Sequence, residues 1–327
     1  MLQFTTDEIP AAERFDYWRE ARGRALFGVT IDIDQDLRST FKGSFTAFES
    51  GGATLAEMAA STYYIKRSES DIARVASDSL IIAHQIKGPG WCDTPMGRGF
   101  VDEGMMGTGY SDLPSLCTPS ARNGFHFRMI KIPLAGLDLP DRPARQLFLE
   151  PTRPQERHSR FLAATFSDLF QRGPALGAEE ASDLVRDLAV LGLLTRGVVR
   201  PGSPEARKAL RAAHLVAARR IMSANLRRPN LSVEQVATTL QISVRQLHVL
   251  FAPGGVTFMR ALTAMRIDEA RRLLIENPLR SVAEIAFACG FESLATFYRA
   301  FNALEGSAPN DYRRMRVIDK KKQLLPN

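Results

Sequence analysis

The sequence predicts an α+β chain in two parts: a β-rich N-terminal domain with flanking helices, then an all-α C-terminal domain. Three observations predict it. Short β-branched or alternating runs recur from about residue 29 to residue 134. One unit of two short amphipathic helices occurs twice, at 231–251 (LSVEQVATTLQISVRQLHVLF) and 281–301 (SVAEIAFACGFESLATFYRAF). Between the two parts stands Pro201-Gly202-Ser203-Pro204, the best linker candidate. The division is therefore 1–200, 203–316, and a basic, disordered tail at 317–327.

Residues 8–26 (EIPAAERFDYWREARGRAL) place Phe15, Trp18 and Ala25 or Leu26 near one face, which predicts an opening helix. The strand signals are VTIDID (29–34), FKGSFTAFES (41–50), STYYIKRS (61–68), SLIIAHQIKG (79–88), GRGFVDEG (97–104) and FHFRMIKIP (125–133). Their spacing has the rhythm of an all-β barrel or sandwich. GPG at 88–90 and the scattered glycines of 97–109 read as turns. The stretch from Pro133 to Pro154 is irregular, with further prolines at 140, 143 and 151. Two helices follow. Residues 156–171 bring Phe161, Leu162, Thr165, Leu169 and Phe170 near one stripe. Residues 178–197 bring Leu184, Leu188, Leu191 and Leu194 to helical spacing; the two helices either pack on their own barrel or one of them supplies a dimer seam. A helix over about 205–227 leads into the repeats.

Each repeat carries its own start and stop signals. Ser232 with Gln235, and Ser281 with Glu284, make capping boxes. Val233, Val236, Ala237 and Leu240 form one apolar face; Val282, Ile285, Ala286 and Cys289 form its counterpart. Gly290 suits a turn needing positive φ. Ser243 and Ser293 cap the second helices, which return Leu247, Leu250 and Phe251, or Phe297, Ala300 and Phe301, to the core. This is a helix-turn-helix pattern, whose second helix usually lies in the DNA major groove. Between the copies, 256–275 predicts a helix about 30 Å long. Its stripe is Ala261, Ala264, Ile267, Ala270 and Leu274. Successive major-groove segments on one face lie roughly 34 Å apart, so one rigid helix suits two reading heads.

Charge follows the same division. Residues 203–316 hold 17 Lys/Arg against nine Asp/Glu, 317–327 add a net +2, and 1–202 carry a net −3. The positive field sits where phosphates would be neutralised. Cys92, Cys117 and Cys289 show no CxxC spacing, which suggests neither a zinc site nor a disulfide scaffold. The opening residues are too polar for a secretory signal, and the apolar run Leu188–Leu194 is far short of a membrane span. A reduced, cytoplasmic protein without membrane partners is the plain reading.

Residues 209–316 resemble the DNA-binding domain of the AraC family of bacterial transcription regulators. The most specific stretch is SVAEIAFACGF with Ser293, Phe297, Arg299-Ala300-Phe301, Gly306, Pro309 and Tyr312-Arg313; LSVEQVA, SVRQL, Phe251 and MRIDEARRLL also fit. The layout of the remainder, with its ERFDYWRE opening, resembles the family's cupin-like sensor half more loosely. The resemblance implies base-facing helices at 243–251 and 293–301. Their DNA-facing residues are then Ser243, Arg245, Gln246, His248, Ser293, Thr296 and Arg299. Arg pairs with guanine and Gln with adenine by two hydrogen bonds each. Two departures stand out: Val249 replaces the usual Arg, and Gln241 stands where Gly is common in the turn. Leu294 and Ala295 offer at most thymine-methyl contacts, so the second head positions more than it reads. Arg299 has a competing role as an ion-pair partner of Glu305.

The expected function is a sequence-specific transcription regulator that responds to a small organic effector. Its partners would be double-stranded DNA, the effector, RNA polymerase and a second copy of the chain. No cofactor, metal or catalytic residue is called for. The alternative is a metal-dependent cupin enzyme fused to a DNA-binding module, with His84, His126 and His158 as ligands; the missing His-x-His pair counts against it. An architectural DNA binder with a degenerate sensor is a third reading. The effector-binding residues are unknown; Trp91, Tyr110, Phe100 and Phe127 would line an apolar pocket or fill the core.

Overall fold

The computed structural model describes residues 1–21, 27–119, 124–135, 137, 144–152 and 158–323, with 119 and 317–323 as backbone only. The chain divides into two compact units, Met1–Ala213 and His214–Asn327. The first is β-rich and the second helical, as the patterning predicts.

Unit one holds two antiparallel sheets. The larger contains strands β1 (Leu2–Thr5), β3 (Gly43–Ser50), β4 (Ala53–Ala60), β6 (Ser79–Lys87), β9 (Met106–Tyr110), β11 (Phe125–Pro133) and β12 (Glu150–Thr152), in the order β1-β3-β4-β11-β6-β9-β12. The smaller joins β2 (Thr30–Asp32), β5 (Tyr64–Arg67), β10 (Ser115–Pro119), β7 (Gly90–Thr94) and β8 (Gly97–Val101). Each predicted strand run contains a strand. Strands β1, β4, β7, β9, β10 and β12 were not predicted. β4 reads ATLAEMAA, and its alanines carry no β-branched signal. It is a strand because β3 and β11 pair with it on both edges.

The glycines of 97–109 are not all turns. Gly99 lies in β8, and Gly107 and Gly109 lie in β9. A Cβ on Gly99 would meet the Leu149 carbonyl oxygen at 1.8 Å, and one on Gly109 would meet the Leu149 backbone at 2.8 Å. Bare backbone there lets the segment ahead of β12 lie against the sheet. Likewise Pro133 and Pro151 sit in strands β11 and β12; Pro140, Pro143 and Pro154 lie outside the described residues.

The opening helix starts later than predicted, and a π-helical turn continues it over 19–21. Helix α1 (Arg14–Trp18) follows turns over 6–13, and Ala25 and Leu26 lie outside the described residues. Its two apolar anchors behave as expected. Phe15 and Trp18 are fully buried, and Trp18 packs within about 6 Å of Phe41, Phe45 and Tyr63 ring centres. A second short helix, α2 (Glu69–Arg74), starts at a Ser68–Asp71 capping box.

Helices α3 (Ser159–Arg172) and α4 (Ala178–Thr195) cover the outer face of the large sheet. Gly192 brings α4 against Ile82 and Thr108, and the Ser50 hydroxyl donates to the Gly173 carbonyl at 3.0 Å. Every residue from Asp187 to Leu194 is buried. The leucine stripe therefore packs within its own unit, the first of the two roles the sequence left open. A helix buried all round belongs in a core.

The second unit continues α5 (Pro204–Ala224) into α6 (Val233–Leu240), α7 (Val244–Phe251), α8 (Phe258–Glu276), α9 (Val282–Ala288), α10 (Leu294–Glu305) and α11 (Pro309–Gln323). Helix α11 runs through most of the stretch expected to be a disordered tail; 324–327 lie outside the described residues. None of the described helices is long and apolar enough to cross a membrane.

Asp187 is the anomaly in α4, only 6% exposed among leucines. Burial pushes its carboxyl pKa up to about 6; Lys208 and Arg186 oppose the shift and Asp183 adds to it. A carboxyl with a raised folded pKa favours the folded state below pH 3.8, and that advantage is lost as pH rises through about 6. We expect Asp187→Asn to stabilise the protein by roughly 3 kcal/mol above pH 6 and to flatten stability between pH 4 and 6. Denaturant unfolding across that window checks it. An unchanged pH profile would mean that Asp187 stays ionised.

Candidate functional site

The second unit is organised around α8. Its first half gives Phe258 and Leu262 to one core, with Val236, Ala237, Leu240, Leu247 and Phe251 of the first repeat. Its second half gives Ile267, Ala270, Leu273 and Leu274 to another core, with Ile285, Ala286, Phe297 and Phe301 of the second repeat. At 19 residues the helix is about 28 Å long. Of the predicted stripe, Ile267, Ala270 and Leu274 are buried, while Ala261 and Ala264 are half-buried.

Between the two halves lies Arg266, a residue the sequence reading passed over. Its side chain is buried, with 7% exposure. Nε donates to the Leu226 carbonyl at 3.2 Å and Nη2 to the Arg228 carbonyl at 2.7 Å. The guanidinium also lies over the Phe291 ring, 5.9 Å from its centre. Burial lowers its pKa from the usual arginine value, and the Glu292 carboxylate opposes that. Gly290 completes the junction: its φ is +82°, and a Cβ there would meet the Leu226 carbonyl oxygen at 2.6 Å. One cation thus ties the entry to the first repeat, the long helix and the turn of the second repeat.

The caps form as the spacing predicts. Ser232 and Ser281 each accept from the backbone N–H three residues on, and Gln235 and Glu284 reciprocate. Ser293 accepts from the Thr296 N–H, at 3.5 Å. Gln241 adopts a left-handed backbone (φ 56°), the conformation for which Gly is favoured in that turn.

Of the predicted DNA-facing side chains, Ser243, Arg245, Gln246, His248, Ser293, Thr296 and Arg299 are all exposed. Gln246 has a local task that the sequence reading missed, although Ser243 and Gln246 stand at capping-box spacing. Its Oε1 accepts from the Ser243 N–H at 2.9 Å, while the Ser243 hydroxyl accepts from the Gln246 N–H at 3.1 Å. A further capping box therefore holds its carboxamide at the head of α7. Arg299 does not pair with Glu305; that carboxylate lies 3.3 Å from Arg271. Among the described residues, Arg245, Arg260, Arg280 and Arg299 form no ion pair or side-chain hydrogen bond, and all four are exposed. Arg271, Arg272 and Arg314, by contrast, pair with carboxylates on their own helices.

Residues 236–315 match a helix-turn-helix domain family. The C-terminal domain is of the AraC type. The transcriptional activator NphR of Rhodococcus sp is 32% identical over 100 residues, which is 31% of this chain and 30% of that protein. The transcriptional activator RhrA of Rhizobium meliloti (strain 1021) is 33% identical over 92 residues, or 28% and 29% of the two chains. The likeness to these relatives thus spans under a third of their length. A solved structure of the AraC-like transcriptional activator CuxR aligns with 88% of this chain and 100% of its own, at 17% identity and a TM-score of 0.49.

Unit one contains a cavity of about 220 Å³ between its sheets. Trp91, Tyr110 and Phe127 line it, as do Ile65, Ile81 and Met129. Phe100 is not part of the lining but packs on Trp91, with ring centres 4.4 Å apart. Cys92 and Cys117 are free thiols directly opposite each other on β7 and β10, with sulfurs 2.9 Å apart. Cross-strand register brings them together, which linear spacing does not disclose. The histidines do not gather. His126 bonds Glu57 at 2.8 Å, and His84 stands edge-on to Phe166. Among the described residues no three His, Cys, Asp or Glu side chains form a metal-ligand group.

Arg266→Met should keep the volume and lose the donors, leaving the Leu226 carbonyl without its side-chain partner and the Arg228 carbonyl with the Leu231 N–H alone. We expect a loss of about 1–3 kcal/mol. The second unit should loosen ahead of the first, and DNA footprints should shorten or fade. Hydrogen exchange with footprinting checks both, and a variant with wild-type stability and footprint would remove Arg266 from the framework.

Proposed function

We propose that this chain is a sequence-specific, DNA-binding transcription regulator whose N-terminal domain answers to a small organic effector. Residues 203–316 bind DNA and residues 1–200 sense the effector. The observation that carries this reading is the exposure of unpaired Arg245 and Arg299 on α7 and α10, two second helices held on one buried framework. An arginine with no internal partner is available to guanine or phosphate. Arg260 and Arg280 extend the same field toward the DNA backbone.

The two heads differ in what they can read. On α7, Arg245 and His248 are the base-reading pair, with Ser243 and Gln246 shaping the helix start. Gln246 reads adenine only by leaving its cap. On α10, Thr296 and Arg299 supply the polar contacts and Ser293 seats a phosphate at the helix N-terminus. Effector binding acts by favouring one arrangement of the protein over another, by no more than its difference in affinity for the two. RNA polymerase and a second copy of the chain are the remaining partners of this reading. The leucines of α4 are buried in their own unit, so a second copy would use another face. The setting is the cytoplasm, and the activity is regulatory, not enzymatic.

Selection of duplexes from a random pool by the full-length protein tests the reading. A defined motif should emerge, and affinity should fall steeply with salt. Arg245→Ala should relax preference at one or two base pairs and cost roughly 1–3 kcal/mol on the selected site. Selection of no motif by the wild-type chain would overturn the proposal. An unaltered motif from the variant would remove Arg245 from the reading set.

A further inference from the structure

One face of β11 carries Phe125, Phe127, Met129 and Lys131 at alternate positions, and all four line the cavity between the sheets. Lys131 breaks an otherwise apolar row. Its side chain is half-buried and forms no ion pair or side-chain hydrogen bond among the described residues. The charged groups that act on it through space are Arg67, Asp112 and Glu49, and each is engaged elsewhere. Arg67 Nη2 lies 2.6 Å from Asp112, and the Arg67 fork also donates to the carbonyls of Ser111, Gly28 and Val75. Glu49 accepts from the Thr54 hydroxyl at 2.6 Å. Burial, reinforced by Arg67, lowers the Lys131 pKa, as expected for an ammonium short of a counter-charge.

We propose that this cavity binds a small apolar monocarboxylate whose carboxylate pairs with Lys131 Nζ and whose body packs among Ile81, Trp91, Phe127 and Met129. This rests on the sensor reading above and names its ligand class. Three features select the class. The space of about 220 Å³ is smaller than the roughly 300–1,000 Å³ of drug-sized sites, so a single ring or short chain fits. The lining surface is mostly aromatic and aliphatic, with Gln85, Ser115 and Thr118 among its polar members, so most of the ligand is apolar. Among the described residues the cavity offers one uncommitted cation, because the Arg67 donors are already held. A single negative charge balances it, whereas a dianion would bring a second charge into an apolar site uncompensated. A neutral ligand would leave Lys131 as it is.

Calorimetric titration of the full-length protein tests this with benzoate, phenylacetate and hexanoate, each beside its primary amide, and with phenyl phosphate. At least one carboxylate should bind about tenfold or more tighter than its amide and than phenyl phosphate. Lys131→Met should erase that preference while amide affinity and thermal stability hold, and Lys131→Arg should keep it. Equal binding of acid and amide, a preference that survives Lys131→Met, or no carboxylate bound would each overturn the proposal. If amides bind as well as acids and shift affinity for the selected DNA, the sensor reading stands and the carboxylate assignment falls. If a carboxylate binds through Lys131 yet DNA affinity is unmoved, the site stands and the sensor reading falls.

Discussion

A buried guanidinium holds the C-terminal helical unit together. Arg266 sits where α8 passes from the core of one repeat to the core of the other, and it closes on the backbone carbonyls of Leu226 and Arg228. A buried cation is tolerated only when its donors are satisfied, so the entry to the first repeat has little freedom to move away. Gly290 lets the turn of the second repeat approach the same carbonyl. The second helices of the two repeats, α7 and α10, inherit their relation from this junction.

In the N-terminal unit the period of two residues along each strand divides labour between the faces of the large sheet. Ile130 and Ile132 of β11, with Leu80 and Ile82 of β6, are buried away from the cavity; Phe127, Met129, Ile81 and Ala83 line it. α3 and α4 cover the first face and leave the second to line a chamber. Arg67 does for this unit what Arg266 does for the other, gathering carbonyls from Gly28, Val75 and Ser111 around one buried cation. Because Arg67 is held by Asp112 and those carbonyls, the charge left open to the cavity among the described residues is that of Lys131.

The reading surface is asymmetric. Arg245 and His248 stand clear on α7, while Gln246 braces its own helix start. In the first half of α10 the exposed polar groups are Ser293, Thr296 and Arg299, beside Ala295; Asn302 is exposed further along. Such a pair of heads suits one that discriminates bases and one that fixes register through the backbone.

Much of the C-terminal domain was legible in the sequence, because its signals are local. Capping boxes at Ser232 and Ser281, the caps at Ser243 and Ser293, Gly290, and apolar faces at helical spacing all act within a few residues of chain. Strands with β-branched runs were legible for the same reason. Tertiary structure alone decided what depends on residues distant in sequence. The alanines of β4 become a strand only between β3 and β11, and glycines that look like turns lie in strands because Leu149 packs on them. The opening helix lost its first turns, and the expected tail became helix α11. Arg266 and Lys131 resemble any other surface cation in the linear text. Burial made one a tie between the repeats and left the other in a cavity without a counter-charge, since desolvation is set by what the whole fold brings around a side chain.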